Sequence, residues 1–378
     1  FNVDGDVFTY DADAEYDMGS PWYRPTRVSH LVTGGDYGWR GVTKSWPSYY
    51  PDHPDNAPPN FDIGKGSPTA VKFGTRSNFP KQYRDALFIL DWTYGRIIAV
   101  YVTPRGSSYL LTAETFLKGR PLNVTDLDFA RDGSMYFVTG GRGTQSALYR
   151  VRYGGEEPSG SEIETLQQKA RRRFARQSRE LRQRLELLLQ RDPDEVALFD
   201  VWQHLSSADP WIRLAARNVF EHVDIDRWQD WAFTEQNPTA VVNSLLALAR
   251  SNEGQLRASV LKRLNQIAWP TLTDADKLTA LYVYRLCLAE LGSLDSRIAS
   301  DAAERLDKLY PQPRYRANRL LSELLVHLKA GSSTAKTIDL LLATNNQAEQ
   351  MHYLYVLRNV KQGWTLNDRR DYFSVLQQ

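Results

Sequence analysis

The sequence predicts a multidomain β + α chain: part of a β-propeller, about two and a half blades of it, followed by an all-α solenoid of HEAT-like repeats. Three observations predict this. Residues 1–155 read as short β-type runs punctuated by Gly, Pro and Asp, whereas the chain beyond about residue 161 changes to helical periodicity. Within the first part, FNVDGDVFTY at 1–10 is echoed by FARDGSMYFV at 129–138. Within the second, 209–223, 253–267 and 295–309 share one plan: an acidic start, an arginine soon after (Arg213, Arg257, Arg297), then apolar residues at helical spacing. Those arginines stand about forty residues apart, the period of HEAT and armadillo arrays.

The β runs come in the order DVFTY, RVSHLV, TAVKF, ALFILD, RIIAVYV, ETFLKG, TDLDFA, SMYFVT and ALYRVRY. Asp-Gly between two apolar runs marks a hairpin, because Gly accepts positive φ. The second copy of the echo has NVTDLD as the strand before its turn; the first has none, since the chain starts at Phe1. A second echo joins GRIIAVYV (95–102) to SALYRVRY (146–153), each following a strand by a Gly-containing loop. The repeating unit is therefore a blade. On this reading 1–155 is the C-terminal part of a propeller, and the chain is a fragment. Residues 156–192 form an Arg-rich connecting helix, and 193–378 the helical repeats, with 314–328 as a degenerate fourth unit.

Composition narrows the function classes. The 378 residues carry 47 basic and 45 acidic side chains, a net charge of +2, so global charge gives no case for nucleic acid. The Arg run 171–184 is interrupted by Glu180 and flanked by Glu162, Glu164 and Glu186, with Leu181, Leu185 and Leu188 as an apolar stripe. It reads as a docked, solvated helix bridging the two parts rather than a nucleic-acid or membrane element. One cysteine, Cys287, excludes an intrachain disulfide framework, and no C-x-x-C-H is present for haem attachment. No apolar run reaches membrane-spanning length.

Four stretches carry candidate chemistry. Asp11, Asp13, Glu15 and Asp17 alternate through one loop, which suits a hard cation; the competing reading pairs them with Arg24 and Arg27. GGDYGWRG at 34–41 holds three glycines that permit close backbone approach and two aromatics that wedge the loop. It reads either as a packed propeller loop or as a loop facing a cofactor or ion. LDWTYGRI (90–97) and TGGRGTQSALYR (139–150) occupy equivalent loops of successive blades, so Asp91, Trp92, Tyr94, Arg142 and Gln145 converge on one face. Arg142, between glycines, is the anion-binding candidate; the alternative is an ion pair with Asp91 or Asp126. The histidines His204, His222, His327 and His352 read as repeat-packing or surface residues, and His30 as a packed one.

The stretches DMGSPWYRPTRVSHLVTGGDYGWRG, DIGKGSPTAVKFGT, LFILDWTYGRI and GGRGTQSALYRVRY resemble the planctomycete-type membrane-bound dehydrogenase family. That family is similar to the six-bladed glucose/sorbosone dehydrogenase, or soluble quinoprotein glucose dehydrogenase, propeller, with HEAT-like repeats following. The resemblance implies a secreted or periplasmic quinoprotein-like enzyme. Such an enzyme oxidises a sugar or related alcohol with pyrroloquinoline quinone (PQQ) and calcium, and passes electrons to a cytochrome c or cytochrome domain. In that setting a His base takes the hydroxyl proton while hydride passes to the quinone. Asp36, Tyr37, Gly38 and Trp39 match the family's Asn-Tyr-Gly-Trp-Pro-like stretch, with Asp for Asn and Arg40 for Pro. The match implies backbone oxygen from Trp39 and Arg40 toward calcium, and Trp92, Tyr94, Arg142 and Gln145 beside the cofactor. The family's catalytic His and its Arg-Asn pair would precede Phe1, and the family's cofactor Lys would fall at Thr93 or Tyr94, where none stands. The chain alone is therefore expected to be inactive. A second expectation, of another class, is a non-catalytic propeller–HEAT scaffold binding carbohydrate or, on the helical repeats, a protein partner.

Overall fold

The computed structural model describes residues 1–38, 50, 52–155, 165–251, 254–290 and 295–377. The β runs form three antiparallel sheets in chain order. The first holds β1 (Val7–Asp11), β2 (Thr26–Leu31) and β3 (Phe61–Gly64). The second holds β4 (Pro68–Phe73), β5 (Leu87–Asp91), β6 (Arg96–Arg105) and β7 (Ser108–Lys118), with the single-turn helix α1 (Lys81–Arg84) between β4 and β5. The third holds β8 (Val124–Phe129), β9 (Met135–Gly141) and β10 (Thr144–Val151). Two strands exceed what the runs announced: β3, which is short and half-buried, and β7, which extends ETFLKG back to Ser108.

Alternation along β5 and β6 stacks the sheets. Phe88, Leu90, Ile97 and Ala99 point into the core shared with the third sheet, beside Leu127, Phe129 and Phe137. Leu87, Ile89, Ile98 and Val100 point the other way, against Phe8, Tyr10 and Val28 of the first. Successive side chains of a strand face opposite sides, so one sheet lines two cores. All five residues of β5 are buried, as a central strand of the middle layer requires.

The Asp-Gly echo is a structural repeat. Asn2 N–H donates to Asp6 O at 3.0 Å and Gly5 N–H to Asn2 O at 3.1 Å. At the second copy Ala130 N–H donates to Ser134 O at 3.0 Å and Gly133 N–H to Ala130 O at 3.0 Å. Gly5 and Gly133 both have positive φ, +83° and +76°. A side chain with a Cβ is disfavoured there, which is why Gly recurs.

After α2 (Leu166–Leu187) the chain becomes a two-layer helical array. One layer is α4 (Pro210–His222), α6 (Pro238–Arg250), α8 (Asp274–Arg285), α10 (Tyr315–His327) and α12 (Gln347–Leu357), each packed on the next, with α2 packed on α4. The other is α3 (Glu195–Gln203), α5 (Gln229–Thr234), α7 (Arg257–Gln266), α9 (Ser296–Leu309), α11 (Ser333–Ala343) and α13 (Leu366–Leu376). Here the expected repeat register is corrected. Arg213 lies on α4, in the first layer, whereas Arg257 and Arg297 lie on α7 and α9, in the second. The aligned feature was the helix start with its flanking charge; α4 and α9 start on capping aspartates in different layers, and α7 starts after Leu256 with no side-chain cap. Asp209, Asn237, Thr273, Asp295, Asn346 and Thr365 all cap with a side-chain oxygen. The residues that recur at equivalent places in one layer are Arg217, Arg250, Arg285 and Arg319, each 33–35 residues after the last.

The sheets and helices meet at a buried polar joint. Arg182 of α2 donates Nε to Ser107 O at 3.0 Å, Nη2 to Asp6 Oδ1 at 3.2 Å, and Nη1 to Glu186 at 2.5 Å. Arg179 reaches Asp4 at 2.9 Å and lies over the Tyr109 ring, whose hydroxyl donates to Asp6. Asp209, the cap of α4, also accepts from Ser107 N–H at 2.6 Å and Ser107 Oγ at 2.8 Å. The Arg-rich helix thus docks as expected, but it is not solvated throughout: Arg179 and Arg182 are buried. A guanidinium enters because its planar fork finds several acceptors at once. Removing one member strands the other charges, so Arg182→Ala should cost about 3 kcal/mol or more. Arg176→Ala, which removes only an exposed pair with Glu180, should stay within about 0.5 kcal/mol. Denaturant unfolding of the two variants against the parent measures both.

Candidate functional site

Antiparallel connection places the β1–β2, β5–β6 and β9–β10 loops, with the short β3–β4 and β7–β8 links, on one rim of the stacked sheets. This rim brings together several residues singled out from the sequence. Trp92 Nε1–H donates to Gly140 O at 2.7 Å, and Asn123 donates to Trp92 O at 3.1 Å. The Arg142 guanidinium lies 5.3 Å from the Trp92 ring centroid, held out by a positive φ of 48° at Arg142. Next to it Arg96 lies 5.3 Å from the ring centroid of Tyr94, which is largely exposed. Gln145 is exposed on β10. The expected Asp91–Arg142 pair does not form. Asp91 is fully buried, accepts from Ser67 N–H at 2.9 Å, and pairs with Arg96 Nε at 2.8 Å. Arg96 wins because it stands directly across the hairpin from Asp91.

The acidic loop joins this rim but does not gather. Asp11 accepts from Ala12 N–H, and Asp13 accepts from the Tyr23 hydroxyl at 2.7 Å. Glu15 and Asp17 sit in a short 3-10 turn. Among the described residues no group of three or more His, Cys, Asp or Glu side chains is placed to hold a metal ion. The alternation that would aim carboxylates one way ends with β1 at Asp11, so Asp11, Asp13, Glu15 and Asp17 do not form the expected cation site. Nor does Arg24 pair with them: its guanidinium donates to Gly38 O at 2.5 Å.

The Gly34–Gly38 stretch leaves from the other end of β2 and packs toward the helices. Gly34 O accepts from Asn218 Nδ2 of α4 at 3.0 Å. A Cβ at Gly34 would lie 2.6 Å from that nitrogen, and φ there is +71°. The Tyr37 hydroxyl donates to His30 O at 2.7 Å and accepts from Val32 N–H at 2.8 Å, and its ring joins Ala57, Trp211 and Leu214. The expected wedge is present at Tyr37, though it fastens the loop to its own strand and to α4 rather than to neighbouring sheets. Asp36 caps Gly38 N–H at 2.8 Å, and Asp36 O accepts from Ala57 N–H at 2.7 Å. Trp39 and Arg40 lie outside the described residues.

These positions were expected to share one cofactor with Trp92, Tyr94, Arg142 and Gln145. The loop leaves from the end of β2 opposite the rim, and Gly38 then meets Arg24 of the β1–β2 loop. The carbonyls implied to face calcium, those of Trp39 and Arg40, lie outside the described residues. The Asp36 and Gly38 carbonyls already accept from Ala57 and Arg24, and the guanidinium on Gly38 O repels a cation. Asp36 and Gly38 thus use their carbonyls within the chain.

His30 is fully buried between Ser108, 2.9 Å from Nδ1, and Asp6, 3.4 Å from Nε2. Burial, opposed by Asp6 and reinforced by Arg182 and Arg179, lowers its pKa. For Asp6, burial alone would raise the pKa, but His30, Tyr109 and Arg182 outweigh it and hold the carboxyl at about 2. His352 is buried against Tyr50, Ser322 and Arg319, and burial followed by the Arg319 charge lowers it to about 3. Cys287 is buried, and burial pushes its thiol up to about 12, so it is inert packing. Sequence reasoning missed Asp6, Arg96, Tyr109 and Asp209 as partners. The signal within reach was the 33–35-residue recurrence of Arg217, Arg250, Arg285 and Arg319.

No protein-family model matches the chain. No curated protein matches it. A solved structure from Thermus thermophilus, provisionally named an oxidoreductase (glucose dehydrogenase), is similar in part, at 18% identity and a TM-score of 0.29. The match covers 40% of this chain, and the chain spans 42% of that one. The chemistry of the site rests on this chain's own residues.

The histidines set an acid limit. Below about pH 6.5 the unfolded chain protonates at His30 and His352 while the folded chain holds them neutral, so stability falls as pH falls. For His352 the fall continues toward its folded pKa of about 3. Urea midpoints measured through this range should drop with acid in the parent and drop less steeply in His352→Gln; equal slopes contradict the assignment.

Proposed function

We propose that this chain is a binding scaffold. Its stacked sheets are blades of a propeller completed by further sheets, and the loop rim at the end opposite the Asp6–Arg182 joint takes a sugar or a related polyhydroxylated alcohol. The observation that carries this reading is the pair of guanidinium–aromatic stacks at that rim, Arg142 on Trp92 and Arg96 beside Tyr94. Rings offer flat apolar faces, and fixed guanidinium and carboxylate groups beside them bond hydroxyls; few well-placed polar groups among aromatics is the ordinary composition of a small-molecule site. The neighbouring Asp13–Tyr23 pair adds polar groups at the same end. In a dehydrogenase of the glucose/sorbosone type the same rim would be met by the substrate. The chain's own residues are read here as binding groups, since Asp36 and Gly38 use their carbonyls to fasten the loop. A secreted or envelope location fits such a ligand.

Calorimetric titration of the chain with a panel of mono- and disaccharides and sugar alcohols should find at least one binder. Trp92→Ala should weaken it by about tenfold, or roughly 1.4 kcal/mol. In parallel, calcium with PQQ and a dye acceptor should give no dye reduction. Absence of any sugar binding contradicts the rim reading, and dye reduction contradicts the scaffold reading.

A further inference from the structure

The inner layer of the solenoid carries a ladder of cations. Arg217 on α4, Arg250 on α6, Arg285 on α8 and Arg319 on α10 recur at one repeat spacing, and His352 on α12 continues the series. Each rung meets a residue of one short segment, 50–57. His352 Nδ1 lies 2.9 Å from the Tyr50 hydroxyl. Arg319 stacks 3.5 Å from the Tyr50 ring centroid and donates to Asp52 at 2.7 Å. Arg285 reaches His53 at 3.4 Å, Arg250 reaches Asp55 at 3.3 Å, and Arg217 donates to Pro54 O at 2.7 Å. Tyr282 of α8 also donates to Asp55, at 2.9 Å, and Ala57 ends the segment in the apolar contact with Trp211 and Leu214.

The segment therefore crosses the helices from α12 back to α4, antiparallel to the order of the repeats. Its own chemistry complements the ladder: a tyrosine at the start, aspartates three residues apart, and two successive turns closed by His53 N–H to Tyr50 O at 3.1 Å and Asn56 N–H to His53 O at 3.0 Å. Guanidinium groups suit this role because each binds a carboxylate and stacks on a ring at once.

We propose that the inner face of the solenoid is a receptor groove for turned acidic segments led by a tyrosine, and that residues 50–57 are its tethered ligand. A partner protein bearing such a segment would enter the groove by displacing the tether. Tethering gives residues 50–57 an effective concentration on the order of millimolar. A free segment of equal chemistry thus gains the groove only once the tether is weakened. The surface expected from sequence to meet a protein partner is then not open: its ligand is already supplied by the same chain.

The test uses the full chain and a fluorescein-labelled synthetic peptide of residues 50–57. In the variant Tyr50→Ala/Asp52→Ala/Asp55→Ala, anisotropy should show the peptide binding at least about tenfold more tightly than to the parent chain. A scrambled peptide should not bind, and adding Arg319→Ala to the release variant should cost about tenfold. A release variant that keeps native helical circular dichroism but does not bind overturns the proposal, as does equal binding of the scrambled peptide. If the triple variant loses its helices, Asp52→Asn alone decides the matter. Hydrogen exchange at residues 52–57 should then quicken by about tenfold with the rest of the solenoid unchanged, and unaltered exchange overturns the proposal.

Discussion

The rest of the structure depends on the burial of Asp6 opposite Arg182. A carboxylate removed from water needs compensation, and here it comes from a guanidinium on α2, a tyrosine hydroxyl on β7 and the His30 ring on β2. Those three partners belong to the first sheet, the second sheet and the first helix after them. None can move without exposing the others, so the joint fixes where α2 lies across the ends of the strands. Because α2 packs on α4, and α4 begins the inner layer, the line of the solenoid follows from the same contact. Asp209 repeats the logic one step on, since the carboxylate that caps α4 also holds the β6–β7 turn at Ser107.

The joint also divides the labour of the sheets. One end of the strands carries Asp6, Ser107 and the departure of Gly34–Gly38, all turned to the helices. The other carries Trp92, Tyr94, Arg96 and Arg142, and its β1–β2 loop also meets α12 where Trp22 packs on Tyr355. The stretch of that end around Trp92 is the one proposed to meet a ligand. The Gly34–Gly38 carbonyls are fastened to Arg24, Ala57 and Asn218 while Arg142 stands exposed on the face of Trp92.

Much of the fold was legible. Asp-Gly between apolar runs predicted a turn at both copies, and both close with the same two backbone hydrogen bonds. The apolar runs LFILD and RIIAVYV between turn signals predicted strands, and the strand pleat gives the four-on-each-side burial of β5 and β6. The helical repeat was legible as a repeat but not in register. Helix starts with nearby charges occur in both layers, so aligning starts mixed α4 with α7 and α9; the residues that recur along one layer are Arg217, Arg250, Arg285 and Arg319. The candidate site was legible only in part. Glycine with aromatics describes equally a turn that frees carbonyls for a ligand and one that packs against a helix. Strand direction starts the loop after β2 at the end opposite the loop after β5, and the Tyr37 and Asn218 contacts fasten Gly34–Gly38 to its own strand and to α4. Asp6 was hidden because nothing local marks an aspartate after Gly5 as buried. Its partner Arg182 stands 176 residues further along the chain.

Held at the Asp6–Arg182 joint, sheets and solenoid should unfold as one cooperative body. Urea unfolding of the unaltered chain followed by hydrogen exchange, reading amides of β5 and β9 alongside those of α6 and α10, should expose both sets in a single transition with one midpoint. Separate midpoints, with the strands opening while the helices remain protected or the reverse, would contradict that cooperativity.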